Sequence, residues 1–135
     1  MENRKEDKIK NIEGYIDEFE PLIPSSFEEY KRDITTKAVC ERYFEKIVEA
    51  IIDLAFIIIR NKRLKSPDDD AHAFVILKEV NLISNKLCEK MQDAKGMRNI
   101  IAHRYGEIDD EKVFDAVTKE LIPDVRDFIR EVRNV

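Results

Sequence analysis

Residues 27–59 read FEEYKRDITTKAVCERYFEKIVEAIIDLAFIII, and the fold turns on this stretch. Apolar side chains recur at Phe27, Tyr30, Ile34, Ala38, Phe44, Ile47, Ile51, Leu54 and Ile58, mostly at the three- and four-residue steps of one helix face. No Gly or Pro interrupts the run before Pro67. A single helix through it holds about 35 residues and reaches some 50 Å. That is long for a small domain. A second copy of the chain packed against part of it is the economical explanation.

On the N-terminal side, Ser26 stands three residues before Glu29, the spacing of a capping box. Pro21 and Pro24 mark a loop, and Ile9, Ile12, Ile16 and Phe19 before it trace another amphipathic helix. On the C-terminal side, Ser66-Pro67-Asp68-Asp69-Asp70 predicts a helix start, with Ser66 as cap, Pro67 in the first turn and the acids at the positive end of the dipole. His72 then reads as an ordinary helix residue rather than a metal ligand. A short helix is expected over 73–82. The next, capped by Ser84, follows Leu87, Met91, Ala94, Met97 and Ile101 and stops at Gly106. Asp109, Asp110 and Glu111 open a last helix along Val113, Val117, Leu121, Val125, Phe128 and Val132, which Pro123 must kink or split. The expected fold is all-α, an antiparallel bundle of four to five helices.

Composition agrees. The chain has 135 residues, which fits one domain over 1–135, and only 3 Gly and no Trp, which disfavours turn-rich sheet folds. Hydrophobic residues make up 43%, enough for a core, and charged residues 39%. The 24 Lys and Arg against 29 Asp and Glu give −5 and a pI near 5.2, which disfavours extended wrapping of nucleic acid but leaves room for a small basic site. The 2 cysteines, Cys40 and Cys88, lie among apolar residues and read as buried free thiols. The opening MENRKEDKIK has no apolar signal core, and the apolar run ending in AFIII is too short to cross a bilayer. A soluble, cytoplasmic protein that does not engage membranes is expected.

Function rests on a second stretch, RNIIAHRY, residues 98–105. Five helical steps leave Arg98 and His103 about 140° apart, so they do not share a face. Asn99 and His103 do. Either the helix ends near His103 and the chain turns, or a second copy of the helix completes a site, as a two-fold homodimer allows. A neutral His can take the proton of a 2′-hydroxyl and its protonated form can supply one to a leaving oxygen, while Arg can clamp a phosphate. These groups suffice for RNA cleavage without a metal. No Gly-rich phosphate loop, HExxH or CxxC is present, and no metal or cofactor is called for. The residues alone also allow a plainer reading, since helix C-termini attract basic side chains.

The pattern Arg98-Asn99-Ile100-Ile101-Ala102-His103, extended by Tyr105 and the segment IDDEKVF, resembles the R-x4-6-H motif of HEPN-domain ribonucleases, and within them the HepT-like toxins. The resemblance covers nearly the whole chain in helix order and is strongest over 81–114. It implies a helical homodimer with a composite cleft, Arg98 and His103 as catalytic residues, and Asn99 at the polar position after the motif Arg. It implies RNA as substrate and an MntA-like nucleotidyltransferase antitoxin as partner, with Tyr105 at the position such partners modify with AMP. No departure occurs within the motif. Two further expectations come from the residues: Lys95, Arg98 and Arg104, extended by Lys90, form either a small patch for RNA phosphates or a solvated face, and Asp53, set among apolar neighbours, either lies on the solvent stripe of its helix or orients Arg98 or a nearby polar group. The alternative to a ribonuclease toxin is a catalytically silent helical subunit that docks a nucleotidyltransferase and serves as its substrate.

Overall fold

The computed structural model describes residues 3–135; the first two residues of the charged N-terminal segment lie outside the described residues. The architecture is an all-helical bundle, with no strand among the described residues. Its helices are α1 (Asn3–Phe19), α2 (Phe27–Arg32), α3 (Ile34–Asn61), α4 (Asp70–Glu79), α5 (Asn85–His103), α6 (Asp110–Asp115) and α7 (Leu121–Val132). Side-chain links fix the packing as antiparallel. Glu18 and Lys8 of α1 meet Tyr43 and Asp53 of α3, so numbers fall along one helix as they rise along the other. The same holds for α7 against α1, through Glu13–Arg133 and through Arg126 with Glu20 just past the end of α1, and for α7 against α5, through Lys90–Asp124 and the Ser84 cap with Glu131.

The long run expected as one helix is two. Asp33 adopts an extended backbone, φ −105° and ψ 105°, and ends α2. Its carboxylate then caps α3, accepting from the Thr35 and Thr36 amides at 3.0 and 3.4 Å. These bonds and one from the Thr36 hydroxyl hold the Asp33 carboxyl below the usual range. The redirection also shifts the buried stripe. Ile34 is 81% exposed and Ala38 is exposed too, so the buried stripe of α3 begins at Cys40 rather than at the start of the run. At 28 residues, α3 remains the spine of the molecule.

Ser26, Ser84 and Asp109 cap α2, α5 and α6, each accepting a backbone amide bond. The Glu29 carboxylate returns to the Ser25 amide, one residue short of the expected box. The acidic run 68–70 is helix-start chemistry, but the start falls at Asp70, with Asp69 rather than Ser66 as cap. Asp69 accepts from the His72 amide at 2.8 Å, and His72 Nδ1 accepts from the Asp68 amide at 2.9 Å. This reciprocal pair selects the later start and gives His72 a structural task. Helix α4 ends at Glu79, short of the expected Leu82, because Asn81 takes a left-handed φ of 64° and the Leu82 amide closes back on the Leu77 carbonyl at 2.9 Å. Arg63, at φ 56°, ends α3 in the same way.

Between α6 and α7 the chain makes a wider π-helical turn, Ala116–Glu120. Pro123 therefore sits in the first turn of α7, where its missing N–H costs little, and the wide turn takes the break that the proline required. The core is built on Phe19, Tyr30, Phe44, Phe74 and Phe128 with isoleucines of α1 and α3. Cys40 and Cys88 are buried free thiols, and burial pushes Cys40 up to about 11.

Candidate functional site

The site grows from α5 and the turn that follows it. Leu87, Met91, Ala94, Arg98 and Ile101 recur at steps of four, three, four and three, which makes Arg98 a member of the core-facing stripe. A cation there needs a partner. Glu49 of α3 supplies it: Arg98 Nη2 donates to Glu49 Oε2 at 2.6 Å, and Nη1 donates to Asn99 Oδ1 at 3.2 Å. The Arg98 side chain is 20% exposed and that of Glu49 43%. The Nε of Arg98 is buried and unpaired among the described residues.

His103 is the last residue of α5 and is exposed. The helix stops there because Arg104 leaves helical geometry, at φ −134° and ψ 52°, after its amide has closed on the Ile100 carbonyl. Gly106, expected as the stop, lies beyond it in a 3-10 turn, Tyr105–Glu107, and has no left-handed φ. Of the two geometries left open for RNIIAHRY, the chain turn is therefore present within one copy.

That turn swings Tyr105 back over α3. Tyr105 is 58% exposed, yet its hydroxyl donates to Glu41 Oε1 at 2.9 Å. Glu41 is 6% exposed and is the buried charged residue of the described core. Its Oε2 is buried and unpaired among the described residues. Burial pushes the Glu41 carboxyl up, against the hydrogen bond from Tyr105 and the charge of Lys37. The bond to Glu41 raises the Tyr105 phenol in turn. Lys37 is held by Asp110 of α6 at 2.9 Å. Glu41 and Glu49 are eight residues apart on α3, about 12 Å along its axis. The carboxylates of α3 thus hold Arg98 at one end and Tyr105 at the other.

The remaining expected residues fall less neatly. Asp53 is exposed, not buried, and pairs with Lys8 at 3.5 Å. It borders the same hollow as Glu49 and Arg98, but Glu49, one turn earlier, holds the guanidinium. The apolar neighbours of Asp53 face the core while Asp53 lies on the solvent side of α3. Lys95 is half-buried, three residues before Arg98 on the same side of α5. Arg104 is exposed and pairs with Glu107 at 3.4 Å. Lys90 does not extend this patch, because it turns to Asp124 of α7 at 3.3 Å. Glu41 and Glu49 escaped the sequence reading. The signal for Glu49 was present in Arg98 itself, a charge on a core stripe that demands an acid across the helix interface.

A family model described as ribonuclease HepT-like matches residues 12–132. The chain belongs to the HepT-like ribonuclease family. An mRNA nuclease HepT from Shewanella oneidensis is 30% identical over 105 residues, 78% of each chain. A tRNA nuclease HepT from Aphanizomenon flos-aquae is 24% identical over 113 residues, 84% of this chain and 77% of that one. Among solved structures, a tri-AMPylated HEPN toxin of Shewanella oneidensis in complex with MNT antitoxin superposes with a TM-score of 0.91 at 26% identity, covering 100% of both chains. Family membership and the helical fold are thus established together. Among the described residues, no helix is long and apolar enough to cross a membrane.

Proposed function

We propose that this HepT-like chain is a metal-independent endoribonuclease toxin, acting in the cytoplasm as a homodimer and held in check by a nucleotidyltransferase antitoxin. The observation that carries the reading is the division of labour on α5: Arg98 is anchored from below by Glu49, while His103 stands exposed at the helix's last residue. His103 takes the proton of an RNA 2′-hydroxyl, whose oxygen attacks the adjacent phosphorus. The imidazolium so formed gives a proton to the departing 5′-oxygen, and a cyclic phosphate remains. Arg98 stabilises the charge on phosphorus, Asn99 steadies its guanidinium, and Lys95 and Arg104 hold flanking phosphates. Tyr105 receives AMP, which places a negative charge and bulk beside the site and blocks the RNA path.

Labelled RNA incubated in EDTA with wild type, His103→Ala and Arg98→Ala tests the nuclease. Cyclic-phosphate ends from wild type alone are the expected result. Cleavage that survives both substitutions overturns the assignment. One observation favours a second reading, a silent subunit that serves as substrate of a nucleotidyltransferase: the guanidinium of Arg98 is already neutralised by Glu49 at 2.6 Å. Wild type with unmodified intact mass that leaves RNA uncut selects that reading.

A further inference from the structure

We infer that Glu41 is the general base that takes the proton of the Tyr105 hydroxyl when Tyr105 accepts an adenylyl group, so that the toxin contributes a catalytic residue to its own silencing. The inference rests on Tyr105 being the acceptor.

Tyr105 is presented to solvent by the turn after α5, yet its reacting oxygen already donates to Glu41 Oε1 at 2.9 Å. That contact is the nucleophile–base geometry of activated hydroxyls. Glu41 is well suited to accept the proton. It is nearly fully buried, and its second oxygen has no partner among the described residues. Lys37, whose charge acts on Glu41, is bonded to Asp110 rather than to Glu41, so the carboxylate has no direct ion-pair contact among the described residues. Burial makes it a stronger base than an ordinary glutamate, and the phenol, raised by the same contact, stays protonated at neutral pH and needs a base in order to attack. A buried acid with no partner but one exposed tyrosine is a poor structural choice, since an apolar side chain would fill the position at lower cost.

The step balances. The Tyr105 oxygen forms a bond to the α-phosphorus of a nucleoside triphosphate held by the partner enzyme. The bond from that phosphorus to the bridging oxygen breaks, and pyrophosphate leaves. The phenolic proton passes to Glu41. The product is an anionic phosphodiester beside a carboxyl group that has just been neutralised, so the modification does not create two like charges in contact.

The groups facing Glu41 are Lys37 and Glu45 on α3, Asp110 on α6, Tyr30 on α2 and Tyr105 itself. Tyr30 stays protonated, because burial and the charge of Glu41 raise it further. Glu41 is therefore the group whose ionisation gates the hydroxyl.

The test uses the full chain, radiolabelled ATP and a nucleotidyltransferase antitoxin of the MNT kind, with the labelled residue located by mass. Glu41→Gln keeps the size and can still accept the Tyr105 bond, but it cannot take the proton. Labelling of Tyr105 is expected to fall about 100-fold, the lower range for a lost general base, and to lose its rise with pH. Glu41→Asp is expected to restore both the rising limb and part of the rate. Labelling of Glu41→Gln within about threefold of wild type, with the same pH profile, overturns the inference and leaves the acceptor role of Tyr105 standing. Wild type labelled elsewhere or not at all overturns both. Should Glu41→Gln fail to fold by circular dichroism, the Glu41→Asp rate and the wild-type pH profile decide: a wild-type rate flat with pH overturns the base.

Discussion

Replacing Glu49 with alanine leaves the Arg98 guanidinium on the core face of α5 without its carboxylate. A hydrogen bond to a charged group contributes about 1.5–3 kcal/mol when desolvated, but the Glu49 side chain is 43% exposed, so solvent screening lowers the figure. A coupling of about 1–1.5 kcal/mol is expected between the two side chains. Arg98→Ala costs more than Glu49→Ala, because the Arg98 stem is only 20% exposed and its methylenes add about 1–2 kcal/mol of packing. For a chain of 135 residues, 1 kcal/mol moves the melting temperature by roughly 3–4 °C. Glu49→Ala should therefore melt about 4–5 °C lower and Arg98→Ala about 8–10 °C lower. The double variant should fall short of the sum by about 4–5 °C, since the second substitution removes a charge that the first has already stranded. Urea melts of the four proteins give the same cycle in free energy. A coupling below about 0.5 kcal/mol, the scatter of independent sites, would refute the claim that Glu49 holds Arg98 in place.

The raised carboxyl of Glu41 makes a prediction about pH. The folded chain holds this proton more tightly than the unfolded chain, so its contribution is favourable at low pH and is lost as pH rises through the folded value. Glu41→Gln has no such loss; relative to wild type it should gain stability as pH rises from the ordinary glutamate range through the raised folded value, and melting curves showing the opposite trend would count against the burial argument. Arg63→Gly relieves a left-handed residue at φ 56° and should raise stability by about 0.5–1 kcal/mol, read as a higher urea midpoint with unchanged slope. If Lys95 and Arg104 contact RNA phosphates, each alanine variant lowers the slope of log affinity against log salt by roughly one; an unchanged slope removes that residue from the interface.

Helix caps were legible because they are local. Ser26, Ser84 and Asp109 each serve the helix that starts next to them. Asp33 was hidden by the same rule that reveals helices, since Tyr30, Ile34 and Ala38 keep a four-residue step across it. Only exposure shows that Ile34 and Ala38 lie off the buried stripe. The acidic run 68–70 was ambiguous at the level of single residues, and His72 settled it by closing a ring that Ser66 could not. For the site, the motif residues could be placed from the sequence, but their partners could not. Glu49 lies 49 positions from Arg98 and Glu41 lies 64 from Tyr105. Periodicity locates such residues on a helix face without saying which helix the face meets. Asp53 drew attention because its neighbours were apolar, yet a helix alternates faces within such a run, and the acid that mattered lay one turn away.

The five-residue spacing of the motif has a physical reason once α5 is in place. A His four residues after Arg98 would lie about 40° from it and share its core-facing side. Five residues give about 140°, which separates an anchored cation from an exposed imidazole on one rigid helix. That separation has a cost, because the two groups of one copy then point away from a common phosphate. The proposed two-fold homodimer would remove the conflict if the His103 of each copy faced the Arg98 of the other across the axis. On this argument the spacing and the dimer depend on each other. Mixing Arg98→Ala with His103→Ala protein, each inactive alone, should restore cleavage in the mixed dimer, which retains one intact Arg98 and one intact His103 on opposite chains. If both groups acted from one chain, the mixture would stay inactive, and the composite cleft would have to be abandoned.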